Sequence, residues 1–220
     1  MRQETAETGA TPRERYRAQV RAEIKDHARR QIATAGAPGL SLNAIAKRMG
    51  MSGPALYRYY AGRDELLTDL VRDAYRSLAE DFRAASAPAP DARALAHALR
   101  AWALADPQRY FLTFGTPVPG YEAPEDTTVL AREVMTLMLD ACAALSPAGS
   151  PGGPFAAHLE EHREWTGGHP APPAVLHRAL TLWTRLHGAL SLELAGHFAG
   201  MGFDPALLYE AELDALTGDG

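Results

Sequence analysis

Residues 40–67 read LSLNAIAKRMGMSGPALYRYYAGRDELL, and this stretch decides the fold of the N-terminal part of the chain. Its spacing predicts two short helices joined by a tight turn, the arrangement of a helix-turn-helix. Gly50 stands at the turn, where a left-handed backbone resists residues that carry a Cβ atom, and Ala46 is small where the helices touch. An ordinary amphipathic hairpin is the simpler alternative. The predicted apolar contacts are Ile45, Met49, Met51, Leu56 and Tyr59.

Helical patterns continue on both sides of this stretch, and no convincing strand pattern with a period of two residues is found. Ser41, Ser52, Asp91, Asp106 and Asp204 stand where N-cap residues are expected. The pattern predicts an all-α fold of about ten helices with a flexible connection over 146–154. The main predicted helices cover 13–35, 63–85, 126–145, a weak one within 155–166, and 174–201.

Charge is strongly segregated along the 220 residues. Residues 1–63 hold twelve Lys or Arg against five Asp or Glu, whereas residues 64–220 hold ten against twenty-two. A basic head on an acidic body suits a phosphate backbone or another polyanion. Solvated helices also carry basic residues, so the charge alone does not decide the function.

Composition excludes several classes of protein. The single cysteine, Cys142, rules out an internal disulfide and suits a reducing compartment. No apolar run reaches the roughly 20 residues that cross a membrane, and the polar N-terminus lacks the apolar stretch of a secretory signal. We therefore expect a cytoplasmic protein with no membrane contact and with neither a cofactor nor a metal.

The quoted stretch resembles the DNA-binding domain of TetR-family transcriptional regulators, and the resemblance covers about residues 13–70. The polar residues 1–12 are expected to be a disordered tail, and the resemblance implies a helix-turn-helix DNA-binding domain over 13–62 and a helical ligand-binding and dimerisation domain over 63–220. Most members of the family are repressors that a small ligand releases from DNA. The chain departs from the family where Gly53, Pro54 and Ala55 replace larger polar side chains at the start of the recognition helix.

The residues expected to contact double-stranded operator DNA lie on the second helix, on the third helix and just beyond it. Hydroxyl and guanidinium groups there can bind phosphates, and the serines stand beside helix N-termini, which favour anions. Arg58 is the best candidate for a base edge, although a phosphate contact is nearly as plausible. Ala55 is placed to touch a thymine methyl group. The full set is Ser41, Lys47, Ser52, Ala55, Tyr57, Arg58, Tyr59 and Arg63.

The C-terminal part carries WTRLHG at 183–188, with DPQRYFLTFG upstream at 106–115. These segments resemble the C-terminal domain class of the same family that is named for its Trp-His-Gly motif. A pocket for an unidentified small-molecule effector is expected to draw on the large apolar groups of the bundle. The last two helices are expected to form a homodimer, because Leu182 and Leu186 mark a second apolar face on the longer helix. The candidate ligand residues are Trp102, Tyr110, Phe111, Phe114, Met135, Met138, Leu139, Trp183 and His187.

Two features favour other readings. Residues 158–162 read HLEEH, a pattern found in inverted zinc proteases, but a solvated charged helix with no third ligand is the preferred interpretation. The other alternative is a non-specific nucleic-acid-binding protein, which would show no operator preference.

Two single residues also need an interpretation. His187 suits a core histidine or dimer contact slightly better than a ligand contact, and Cys142 is expected to be a buried apolar residue.

Overall fold

The computed structural model describes residues 11–87, 89–145 and 153–218. These residues form ten α-helices and two short 3₁₀ turns, with no strand among them, which confirms the all-α prediction. The 3₁₀ turns are Ala37–Gly39 and Glu164–Thr166. The helices are α1 (Pro12–Ala35), α2 (Leu42–Arg48), α3 (Gly53–Tyr57), α4 (Arg63–Ala85), α5 (Ala92–Ala105), α6 (Pro107–Phe114), α7 (Glu125–Ala144), α8 (Pro154–Glu161), α9 (Pro173–Leu194) and α10 (Pro205–Thr217).

Side-chain caps are present at the starts of five helices, α1, α2, α5, α6 and α10. Asp91 accepts hydrogen bonds from the backbone N–H groups of two residues at the start of α5, and Asp106 and Asp204 cap α6 and α10 in the same manner. Thr11 and Glu14 form a reciprocal capping box at the start of α1. Because these caps are local, the starts of these five helices follow closely from the sequence.

Some predicted segments differ from the structure or lie outside it. The tail predicted over 1–12 lies outside the described residues as far as residue 10, and Thr11 and Pro12 belong to the start of α1. Most of the connection at 146–154 is also outside the described residues. The weak helix predicted within 155–166 divides into α8 and a 3₁₀ turn.

Helix α9 ends at Leu194, so the predicted extension to residue 201 is wrong. Gly196 adopts a φ of 79°, and its N–H donates to the carbonyl oxygen of Glu193 over 3.0 Å. The N–H of His197 donates to the carbonyl oxygen of Leu192 over 2.9 Å. This pair of bonds is the Schellman motif, which terminates a helix at a left-handed glycine.

The chain divides into two compact units, with the boundary between Leu70 and Val71 inside α4. The first contains the described residues as far as Leu70 and, in addition, the segment Val118–Tyr121. The second contains the remainder. The core of the first unit includes the fully buried side chains of Ile24, Ile45, Leu56, Tyr60, Leu66 and Leu67.

The second unit is a bundle in which α9 packs on α5, α7, α8 and α10. Leu182, Leu186 and Leu190 of α9 are buried within the chain itself. The expectation that Leu182 and Leu186 form a face in need of a partner is therefore wrong, because α9 has neighbours on several sides. The hydroxyl of Tyr209 on α10 donates to the carbonyl oxygen of Ala96 on α5 over 2.8 Å. No described helix combines the length and the apolar character that crossing a membrane requires.

Candidate DNA-binding surface and ligand pocket

The turn between α2 and α3 has the geometry expected of a helix-turn-helix. Gly50 has a φ of 65°, and its N–H donates to the carbonyl oxygen of Lys47 over 3.3 Å. The N–H of Met51 donates to the carbonyl oxygen of Ala46 over 2.9 Å, which completes a Schellman motif. Ala46 is almost fully buried, and the Ser41 hydroxyl caps α2 by accepting the N–H of Ala44.

The side chains of α3 and the residues after it divide into exposed and buried groups. Ser52 is exposed and makes no side-chain cap. Tyr57 is 47% exposed, and Arg58 is exposed as well, so both are available to a partner. Tyr59 is only half-buried, and the aromatic group that completes the core is Tyr60, four residues after Leu56. Sequence reasoning missed Tyr60, although its helical spacing from Leu56 is a usable signal.

A polar network ties α1 to the residues that follow α3. The Tyr60 hydroxyl donates to Asp69 over 2.6 Å, and Arg21 donates to the same carboxylate over 3.3 Å, while Lys25 lies 3.8 Å away. Burial opposes ionisation of Asp69, but the Tyr60 hydrogen bond and the charges of Lys25 and Arg21 outweigh it and lower the pKa of the carboxyl. Arg21 and Lys25 are therefore paired with a carboxylate inside the first unit.

Arg63 has intramolecular partners. Its guanidinium donates to the carbonyl oxygen of Ala37 over 3.0 Å and lies 3.8 Å from the carboxylate of Asp64. This contact fastens the start of α4 to the 3₁₀ turn after α1. Its phosphate contact stays a prediction, as do the contacts of Lys47, which is exposed on α2, and of half-buried Ala55.

The second unit contains a pocket of about 350 Å³ between α6 and α9. Four of the nine predicted ligand residues, Tyr110, Phe114, Trp183 and His187, line it. Sequence reasoning missed the small residues of the wall, although they repeat at helical spacing along α9. Those residues are Thr184, Gly188 and Ser191.

His187 lies among aromatic rings at this pocket. Its ring centroid is 4.1 Å from that of Trp183 and 4.5 Å from that of Phe114. Its Nδ1 atom is 2.9 Å from the Tyr110 hydroxyl, which also lies 2.8 Å from the Ser191 hydroxyl. The Nε2 atom is buried and has no hydrogen-bond partner among the described residues. Burial lowers the pKa of His187 to about 4, so the ring is neutral at pH 7.

The other five predicted ligand residues do not line this pocket. Trp102 is almost fully buried, and its Nε1–H donates to the Ser77 hydroxyl over 3.2 Å. Met138 and Leu139 are fully buried in the core, and Phe111 and Met135 pack against that core. Their size and apolar character indicated burial. Burial does not distinguish a residue that lines a pocket from one that belongs to the core.

The remaining candidate groups have structural explanations. His158 lies on α8 and His162 just after it, with the Nδ1 atom of His162 3.0 Å from the carbonyl oxygen of His158. No group of three or more His, Cys, Asp or Glu in the described ranges is arranged to hold a metal ion. Cys142 is buried, as predicted, and burial raises the pKa of its thiol to about 11.

The helix-turn-helix and the helical body define a DNA-binding transcriptional regulator. Residues 24–70 match the model of the bacterial regulatory proteins of the tetR family, and residues 92–216 match the tetracyclin repressor-like C-terminal domain. The second match includes the motif at 183–188. The chain therefore belongs to the TetR family, whose members are transcriptional regulators and not enzymes.

Individual relatives agree with this assignment. The HTH-type transcriptional regulator Mb1846 of Mycobacterium bovis is 39% identical over 216 residues, which cover 91% of this chain and 92% of the relative. The crystal structure of regulatory protein SCO4313 is 69% identical with a TM-score of 0.87, covering 94% of this chain and all of that one. A tetR family regulator from Shewanella sp. PV-4 shares the fold, with a TM-score of 0.58 at 15% identity over 90% of this chain and 96% of that one.

Proposed function

We propose that this protein is a cytoplasmic, dimeric repressor that binds a palindromic operator. A small, mostly apolar ligand releases it from the DNA. The observation that supports the ligand-binding part of this proposal is the pocket at His187, where a neutral imidazole stands among aromatic rings and its Nε2 atom has no hydrogen-bond partner among the described residues. A concave, aromatic-lined pocket with few polar groups is typical of small-molecule sites.

The walls of the pocket indicate the chemistry of the ligand. Phe114 and Trp183 supply aromatic surface, and the hydroxyls of Thr184 and Ser191 supply polar groups. None of the described side chains that line the pocket carries a charge at pH 7, because His187 is neutral there. An ion would lose hydration without gaining a counter-charge, so an uncharged ligand with one or two polar groups fits best.

The segment after α6 offers a route from the pocket to DNA binding. Helix α6 carries Phe114, and Gly115 follows it, where a Cβ atom would lie only 2.4 Å from the carbonyl oxygen of Phe111. The chain then enters Val118–Tyr121, which belongs to the first unit. There the Tyr121 hydroxyl lies 3.1 Å from the hydroxyl of Thr68 on α4. A ligand that moves α6 therefore pulls on a segment anchored in the DNA-binding unit.

The ligand site can be tested at Gly188, where a Cβ atom would meet no described atom within 4 Å. A screen of uncharged aromatic compounds by thermal shift supplies a ligand, whose effect on operator binding is measured by fluorescence anisotropy. Gly188→Phe should fill the pocket and abolish the ligand response while operator binding persists, and Gly188→Ala should retain both. Coupling is reciprocal, so DNA must weaken ligand binding by the same factor. A ligand that binds at the pocket and leaves DNA affinity unchanged would disprove the sensor function.

The dimer is proposed to form through α9, α10 and the segment between them. Exposed apolar side chains support this surface: Leu192 is 44% exposed, Met201 63%, Phe203 42% and Leu207 69%. Leu207→Glu should raise the dimer dissociation constant in analytical ultracentrifugation. Val129→Glu is the matched control, because Val129 is 60% exposed on α7. Equal dissociation constants for both variants would place the interface elsewhere.

The palindromic operator follows from two-fold symmetry, because two recognition helices require two related half-sites. Selection from random duplex DNA should enrich an inverted repeat. A sequence pool without enrichment would instead favour the non-specific nucleic-acid-binding alternative.

A further inference from the structure

A concave, positively charged site lies where the first turns of α1 meet the end of α3. Its walls are Arg13, Tyr16, Arg17, Arg58 and Tyr59, around a cavity of about 300 Å³. Of the residues that the structure describes, three with guanidinium groups and none with a carboxylate line it. A surface that concentrates guanidinium groups in this way favours an anion with oxygen acceptors.

Contacts within the fold fix the shape of this arginine site. An Arg17 Nη atom lies 3.5 Å from the carbonyl oxygen of Arg58, and Arg21 donates to the carbonyl oxygen of Tyr59 over 3.1 Å. The Arg17 guanidinium also stands 6.0 Å from the centre of the Tyr59 ring. A guanidinium has five N–H donors, so these contacts leave most donors of Arg17 available to a ligand.

The arginines of this site differ from other cations of α1 in their carboxylate partners. Arg21 and Lys25 lie within 4.0 Å of Asp69, whereas Arg13, Arg17 and Arg58 have no carboxylate within that distance in the part of the chain that the structure describes. Uncompensated positive charge at one place raises the local potential. An anion that enters the site gains from all three groups.

We propose that the arginine site holds a phosphate of the DNA backbone, which makes α1 part of the DNA-binding surface. The site shares Arg58 and Tyr59 with the end of the recognition helix, and Tyr57 on that helix is 47% exposed. Tyr16 is 65% exposed, and the three arginines are exposed as well, so the described walls leave the site open and do not enclose a free anion. A phosphodiester held by other contacts along the duplex suits such an open site. The inference deepens the DNA-binding function and assigns Arg58 to phosphate binding instead of base reading.

The test compares two double variants of the full-length protein. Arg13→Ala/Arg17→Ala removes two walls of the site, and Arg15→Ala/Arg30→Ala removes the same charge from exposed positions of α1 outside it. Affinity for the selected operator and for an unrelated duplex is measured by anisotropy between 50 and 200 mM KCl. Circular dichroism checks folding, and Arg13→Ala alone serves if loss of Arg17 disturbs α1.

The expected result is a shallower salt dependence for the site variant on both duplexes. One lost phosphate contact reduces the slope of log affinity against log salt by about 0.9 per protomer. Between 50 and 200 mM KCl, the DNA affinity of the wild type should therefore fall about threefold more per protomer than that of the site variant. The control should run parallel to wild type. The proposal would be overturned if the site variant had the same slope as the wild type, or if the control lost as much slope as the site variant. Operator binding by the wild type would in either case still support the regulator function.

A further arm separates DNA from a free anion. Inorganic phosphate is titrated into the wild-type protein without DNA in a calorimeter, and no saturable binding at millimolar concentration is expected. Saturable phosphate binding that the site variant loses, together with unchanged DNA slopes, would identify a small-anion site and overturn the DNA assignment.

Discussion

Acid should destabilise the second unit through His187. Its pKa is about 4 in the folded chain, against an ordinary value of 6.5. At about 1.36 kcal/mol for each pH unit, this gap corresponds to about 3 kcal/mol. Because the unfolded chain binds the proton more readily, the stability is complete above pH 6.5 and is lost as the pH falls towards 4. About 2.5 kcal/mol of it should be gone at pH 4.5.

The assay is urea unfolding at pH 7 and pH 4.5, for the wild type and for His187→Asn. Asparagine keeps a polar group near the Tyr110 hydroxyl but does not titrate, so the difference between the two proteins removes the contribution of the carboxylates. The wild type should lose about 2.5 kcal/mol more than the variant over this interval. Equal losses, or an NMR titration that places the imidazole pKa near 6.5, would refute the assignment of His187 as a buried neutral group.

Three further substitutions probe the first unit and its link to the pocket. Tyr121→Phe removes the hydroxyl that contacts Thr68, so it should preserve ligand and operator binding but reduce their coupling; unchanged coupling in a two-ligand titration would contradict the proposed route. Gly50→Ala forces an alanine into a φ of 65° and should cost about 1 to 2 kcal/mol in urea unfolding, whereas no cost would mean that the turn rearranges. Asp69→Asn removes the carboxylate shared by Tyr60, Arg21 and Lys25 and should cost about 1 to 3 kcal/mol, and an unchanged unfolding midpoint would show that the network contributes nothing.

Local signals account for the parts of the fold that the sequence predicts well. Asp91, Asp106 and Asp204 cap helices within three residues of themselves, and Gly50 closes a turn within its own neighbourhood. The end of α9 was misplaced because the surrounding residues are apolar and helix-forming, while Gly196 terminates the helix through backbone geometry alone.

The pocket was only partly predictable because it combines large aromatic residues, which form its walls, with small residues, which leave its space open. Large residues such as Phe114 and Trp183 were found from their size, but the same criterion selected Trp102, which belongs to the core. Gly188 and Ser191 create space and polarity by being small. Only the tertiary structure shows which turn of α9 faces α6.

The positive charge of the N-terminal part is a poor guide to DNA contacts until its internal pairing is known. Arg21, Lys25 and Arg29 have carboxylate partners within 4.0 Å. The partner of Arg21 and Lys25 is Asp69, more than forty positions along the chain, so composition cannot reveal these two pairs, whereas Arg29 pairs with Asp26 in the preceding turn of the same helix. A paired cation gives up an existing partner when it binds phosphate, whereas a cation such as Arg13, which has no carboxylate partner among the described residues, only releases solvent and counterions. Alanine substitutions at the paired positions should therefore act mainly on stability, and those at the arginine site mainly on the salt dependence of DNA binding.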